Sequence, residues 1–214
     1  DVGSPKLSLE REDFEENAKD GFGVDWPIRY KDIAPWYSYA EKFAGISGSK
    51  EGLAELPDGE FLPAMEMNVV EKDVAARIKE YYKGTRHMFI GRTANITEPK
   101  PEQGRVNCQY RNRCWRGCPF GAYFSTQSST LPAAMATGNL TLRPFAIVTK
   151  ILYDKDTKKA TGVEILDAET NKTYEYKSKI VFVNASALNS AWILMNSATD
   201  IWPDGLGSSS GELG

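Results

Sequence analysis

The chain has 214 residues, with 26 Lys and Arg set against 29 Asp and Glu for a formal charge of −3. At 41% hydrophobic and 26% charged residues it can bury a sizeable core, in one large domain or two small ones. This balance gives no reason to expect nucleic acid or an anionic membrane as a partner, and no apolar run approaches the length that spans a bilayer.

The first hundred residues are aromatic and irregular. In DWPIRYKDIAPWYSYAEKFAGISG, Pro27 and Pro35 stand just ahead of short amphipathic segments, the second ending at Gly45. The Trp and Tyr residues there suit core packing. Further on, Val70, Val74, Ile78 and Tyr81 recur every three or four residues, which predicts a helix stopping at Gly84. A cysteine-bearing segment, 107–122, leads into the polar run AYFSTQSSTLPAAMATG.

From Asn139 the pattern turns to strand. NLTLRPFAIVTKILYD, ATGVEILDA and TYEYKS alternate between polar and apolar residues and are separated by the turn-forming KDTKK and ETNKT. Residues from about Leu140 to Ser178 are therefore expected to form an antiparallel β-meander. KIVFVNA reads as a buried strand over Ile180 to Val183, entering a helix that begins near Leu188. Such a strand-to-helix turn often holds a ligand on the free N–H groups of the helix, where Asn189 and Ser190 stand; an ordinary β-to-α connection fits as well. The fold expected is α+β, in two parts: 1–138, carrying the cysteine segment, and 139–214.

All three cysteines, Cys108, Cys114 and Cys118, fall within eleven positions, spaced C-x5-C-x3-C. A disulfide would strand one thiol. A structural zinc ordinarily takes four ligands from closer pairs, and the one histidine, His87, lies outside the segment. Unrelated buried thiols remain possible. An iron–sulfur cluster takes thiolates from a loop with small residues around the sulfurs, as Gly117, Pro119 and Gly121 are here, and three thiolates without a fourth suit a three-iron cluster. Arg111, Arg113 and Arg116 between the cysteines would offset its negative charge.

A resemblance narrows these alternatives. DWPIRYKDIAPWYSYAEKFAGISG resembles the WP-x-x-Y-x-D-x-x-P-Y-Y stretch of the glucose–methanol–choline (GMC) flavin oxidoreductases. NLTLRPFAIVTKILYD, ATGVEILD and KIVFVNASALNSAWILMNSA are similar to that family's flavin-domain stretch, and GLGSSSGELG resembles its G-x-x-N-S-S-G-x-x-G-R run. The likeness implies part of a GMC-type FAD-binding fold joined to part of a substrate or cap domain. Within the family, C-x5-C-x3-C resembles the flavoprotein subunits of FAD-dependent glucose dehydrogenase and glucoside 3-dehydrogenase, which implies a 3Fe–4S cluster on Cys108, Cys114 and Cys118. Val148 aligns with a valine whose backbone contacts adenine in relatives. Ser186 stands where the family often has glycine, and Asn189 follows from position alone.

The family's opening GxGxxG unit has no counterpart in this sequence, and its catalytic histidine belongs to a later segment; His87 is read as structural or at the surface. The chain is thus expected to be the middle of a longer enzyme, inactive and binding FAD weakly by itself. The resemblance implies a dehydrogenase that oxidises a sugar or glycoside alcohol and passes electrons from FAD through the cluster to a cytochrome or quinone, with a possible small subunit. The family alone suggests a periplasmic or membrane-associated site. A zinc-stapled binding module without redox activity, or a GMC dehydrogenase for a non-sugar alcohol, stands as the alternative. The Asn-x-Ser/Thr triplets at Asn95, Asn139, Asn171 and Asn184 are treated as chance occurrences.

Overall fold

The computed structural model describes residues 12–213. The chain divides into two compact units, one ending at Leu140 and the other beginning at Thr141.

The first unit holds a short helix α1 (Glu16–Asp20) and two longer ones, α2 (Tyr30–Ala44) and α3 (Val69–Tyr81). Where the sequence predicts two short segments around Pro35, the structure runs one 15-residue helix through it. Proline there forgoes only the bond to the Lys31 carbonyl, near the helix start. The first turn is held by Asp32, whose carboxylate accepts the Arg29 N–H at 2.9 Å. Gly45 ends α2 with a φ of 76°, its N–H returning to the Glu41 carbonyl. The predicted α3 is present and capped at both ends. Asn68 and Glu71 exchange side-chain-to-backbone bonds of 2.9 and 2.8 Å, and the Gly84 N–H reaches the Lys79 carbonyl at 2.8 Å.

Little regular sheet binds this unit. Ser47 and Thr93 exchange backbone bonds, Ile96 N–H donates to Ala122, Phe124 N–H to Ala94, and Cys108 N–H to Ile96. The stretch 93–97 is therefore threaded between the exit of α2 and two parts of the cysteine segment. Ile46, Ala94, Ile96 and Ala122 are buried along it. Two buried guanidiniums donate to backbone carbonyls of the connecting segments. Arg92 donates to Pro57 O and to Asp58 Oδ1 at 2.6 and 3.0 Å; Arg105 is described below. The polar run after the cysteines is helical: a π-helical turn, Thr126–Thr130, started by the Ser125 side chain, continues into α4 (Leu131–Ala136).

The second unit contains the expected meander. Strands β1 (Ala146–Asp154), β2 (Lys159–Asp167) and β3 (Thr173–Lys177) pair antiparallel in the order β1-β2-β3. Helix α5 (Ser186–Asn196) packs on β1, burying Ile193 with Ile151 and Ile165. The helix starts two residues before the expected Leu188. Ser197 joins the two elements: its Oγ accepts the Ile151 N–H at 2.8 Å and donates to the Ile193 carbonyl at 2.6 Å.

The buried strand predicted over 180–183 is absent. The segment is unpaired, with Ile180 69% and Phe182 81% exposed, while the half-buried Val181 and Val183 line a hollow with Val148 and Ile151. A buried strand needs hydrogen-bonding neighbours and cover on both faces. Among the described residues no strand lies alongside this one, so its apolar run is half-covered only.

Aspartates close both hairpins. Asp167 accepts the Thr170 and Glu169 N–H groups at 2.9 and 3.1 Å and pairs with Arg143 at 2.7 Å. These contacts, the Thr170 N–H foremost, hold its carboxyl below the ordinary carboxylate value. A depressed folded pKa contributes stability that is present above the unfolded value, and it is lost as pH falls through the folded value. Acid denaturation of the full chain, followed by circular dichroism, is expected to begin below about pH 4, with a shallower acid slope in Asp167→Asn. Identical slopes would remove this role. No helix among the described residues is long and apolar enough to cross a membrane.

Candidate functional site

The cysteine segment is wound rather than extended. Tyr110, Asn112, Gly117 and Gly121 all have positive φ, of 52°, 50°, 98° and 62°. Left-handed residues set among right-handed ones turn successive N–H groups toward one side and make anion-binding concavities. For Tyr110, which lacks the freedom of glycine, that conformation costs on the order of 1–2 kcal/mol.

The three thiols are free, half-buried, and line one pocket of about 30 Å³ together with Asn95, Arg111, Arg113 and Phe120. Each sulfur has its own N–H donors. The Tyr110 N–H donates to Cys108 Sγ at 3.4 Å, and the buried Asn95 Nδ2 donates to Cys114 Sγ at 3.5 Å. At Cys118, burial pushes the thiol up, but the backbone N–H groups of Tyr123, Phe120 and Ala122, with the charge of Arg111, outweigh it and leave the thiol below its ordinary value. No three His, Cys, Asp or Glu among the described residues lie close enough together to hold a single metal ion.

The surroundings are uniformly basic. From residue 103 to residue 153 there is no Asp or Glu. Among the described residues Arg111, Arg113 and Arg116 make no ion pair; Arg111 lies over the Phe120 ring and Arg116 over the Trp115 ring, at 5.7 and 4.4 Å. Arg111 and Arg113 line the pocket, where their charge is available to an anionic occupant.

In the second unit, Val148 on β1 and Asn189 on α5 line one cleft of about 350 Å³ with Ala146, Ala185 and Trp192. That is within the size of small-molecule sites. Ser186 is exposed and outside this lining, as is the half-buried Ser190. The first turn of α5 has no side-chain cap. Ser186 nonetheless has the backbone of a glycine, with a φ of 65°. Ser186→Gly is expected to raise stability by about 0.5–1 kcal/mol by relieving that conformation, read as a higher midpoint in urea. A lowered midpoint would mean the serine side chain has a stabilising role. His87, in the loop after α3, is exposed.

Sequence reasoning missed two residues here. Asn95 was visible only as a chance sequon triplet, and Arg105 carried no signal beyond its place near the cysteines.

A family model described as GMC oxidoreductase matches residues 19–205. Curated relatives include a 2-methyl-1,2-propanediol dehydrogenase of Mycolicibacterium austroafricanum, 30% identical over 94% of this chain and 36% of the relative. A 6'''-hydroxyparomomycin C oxidase of Streptomyces lividus is 26% identical over 91% of this chain and 35% of the relative. The fructose dehydrogenase large subunit of Gluconobacter japonicus is 22% identical over 94% and 36%. The chain thus spans about a third of the length of the curated relatives it matches.

Proposed function

The chain belongs to the GMC oxidoreductase family, and from that membership we propose that it is the middle portion of an FAD-dependent dehydrogenase that oxidises a sugar or glycoside alcohol and delivers the electrons to an external acceptor through a 3Fe–4S cluster. One observation carries the cluster: three free thiols around one pocket, each sulfur met by N–H donors.

The donor set fits that group. With metal–sulfur bonds of about 2.3 Å, thiolates on one tetrahedral ion approach to roughly 4 Å of each other. Cysteines on separate irons need not converge so far, and the three thiols share one pocket. Cys108, Cys114 and Cys118 would hold the irons. The Tyr110, Ala122 and Tyr123 amides and Asn95 would stabilise the sulfurs' negative charge, and Arg111, Arg113 and Arg116 would offset the charge of the whole. Val148 and Asn189 would border the adenine side of FAD, and the left-handed backbone at Ser186 would let the chain pass close to it. When bound, FAD supplies hydride acceptance and the cluster supplies one-electron chemistry.

A non-sugar alcohol is a second reading for the substrate, favoured by the diol in the name of the Mycolicibacterium relative. A multi-subunit assembly draws its support from the "large subunit" in the name of the fructose dehydrogenase. A cytochrome or quinone acceptor and a periplasmic or membrane-associated location complete the proposal. The test is iron and acid-labile sulfide analysis of the anaerobically purified full-length protein, expected to give about three irons per chain. Zinc without iron would sink the electron-relay reading.

A further inference from the structure

Arg105 is 1% exposed and makes no close ion pair among the described residues, Glu102 acting on it only at longer range. A buried charge is costly unless its hydrogen bonds are met, and the bonds that meet this one are instructive. Nη1 donates to Ala44 O at 2.7 Å and to Gln103 Oε1 at 3.0 Å, fixing the guanidinium against the end of α2. The other arms grip the cysteine segment: Nε donates to Gly121 O at 2.8 Å and Nη2 to Ala122 O at 3.3 Å, a carbonyl that also accepts the Ile96 N–H at 3.0 Å.

Each of those carbonyls belongs to a peptide unit whose far side is an N–H. The Gly121 carbonyl shares its plane with the Ala122 N–H, and the Ala122 carbonyl shares its plane with the Tyr123 N–H. Both of those N–H groups face the Cys118 sulfur. The Cβ of a residue placed at Gly121 would come within 3.2 Å of Arg105 Cγ, so the close approach depends on glycine there. We propose that Arg105 is the positioning residue for Cys118, orienting and polarising two successive peptides so that their N–H groups hold the sulfur. Hydrogen bonds in series polarise one another, so the buried positive charge acts on the sulfur through the backbone as well as by its direct Coulombic attraction. Its role toward an iron–sulfur cluster rests on the reading above; the orientation of the loop does not.

Lysine keeps the charge but lacks the planar fork that reaches both carbonyls. In the anaerobically purified full-length protein, the Ala122 and Tyr123 amides should be protected from hydrogen exchange. In Arg105→Lys and Arg105→Gln their exchange should rise at least about tenfold, while the β1–β2 amides hold. Where iron is bound, its midpoint potential should fall in both variants, because fewer N–H groups reach the sulfur. Unchanged exchange together with an unchanged potential in Arg105→Lys overturns the proposal. Unprotected Ala122 and Tyr123 amides in the wild-type protein overturn it too, with no variant needed. A wild-type protein free of iron, with protection that still depends on Arg105, removes the cluster and supports the positioning.

Discussion

Under the proposed cluster, Cys114→Ser in the full-length protein is expected to lose most of the iron and to slow reduction of the external acceptor by more than about 100-fold, while substrate still bleaches the flavin. Loss of an outer-shell partner alone typically costs 10- to 100-fold in metal affinity or activity, so loss of a ligand should exceed that range. Asn95→Ala provides the comparison, because it removes the 3.5 Å bond to the Cys114 sulfur and the 3.3 Å bond that Asn95 accepts from the Thr93 hydroxyl but no ligand, and should fall inside it. The two half-reactions separate the possible failures. Serine at Cys114 leaves the second unit untouched, including the cleft at Val148 and Asn189, so flavin reduction by substrate should persist. Unchanged iron in Cys114→Ser would show that this thiol ligates nothing. Lost flavin reduction would show that the segment serves the chemical step as well.

Ile96→Ala should be strongly damaging to the first unit. Ile96 is fully buried, and a Cβ on Gly45 would collide with its Cγ2, so its neighbours are already in close contact. Truncating such a side chain costs about 2–5 kcal/mol, the larger values arising where the site cannot collapse. The backbone around Ile96 is held on both sides, by its N–H to Ala122 and by its carbonyl from Cys108, so little collapse is available. A loss of about 3 kcal/mol should lower the melting temperature by roughly 10 °C. Because those same bonds tether both ends of the cysteine segment, the iron content of the variant should fall with it. A melting temperature within about 2 °C of the wild type would show that the first unit does not depend on this residue.

The sequence made the meander legible because each of its strands carries its own alternation and its own turn residues, all local signals. Helix α3 was legible for the same reason, through the spacing of Val70, Val74, Ile78 and Tyr81 and the stop at Gly84. What failed depended on distant neighbours. The apolar run at 180–183 has the composition of a buried strand, yet pairing is a property of what lies beside it, and nothing in the run encodes that. The single course of α2 through Pro35 was hidden because proline signals a break even where only one bond is forgone. At the site, the cysteines announced themselves by crowding. Asn95 and Arg105 did not, since their roles come from contacts spanning 19 residues to Cys114 and 16 to Gly121. The family was legible through its motifs; the cluster and the FAD contacts remain readings of the site.

Ser197 has a consequence for how the molecule keeps to itself. A three-stranded sheet has two open edges, and an open edge is a template on which another chain can add a strand. On the β1 side, the Ile151 amide is occupied by the Ser197 hydroxyl, so an incoming strand would find that donor already engaged. On the β3 side, the strand has only five residues and carries the charged pair Glu175 and Lys177. One engaged amide on one edge and a short charged strand on the other both make strand addition to this meander less favourable.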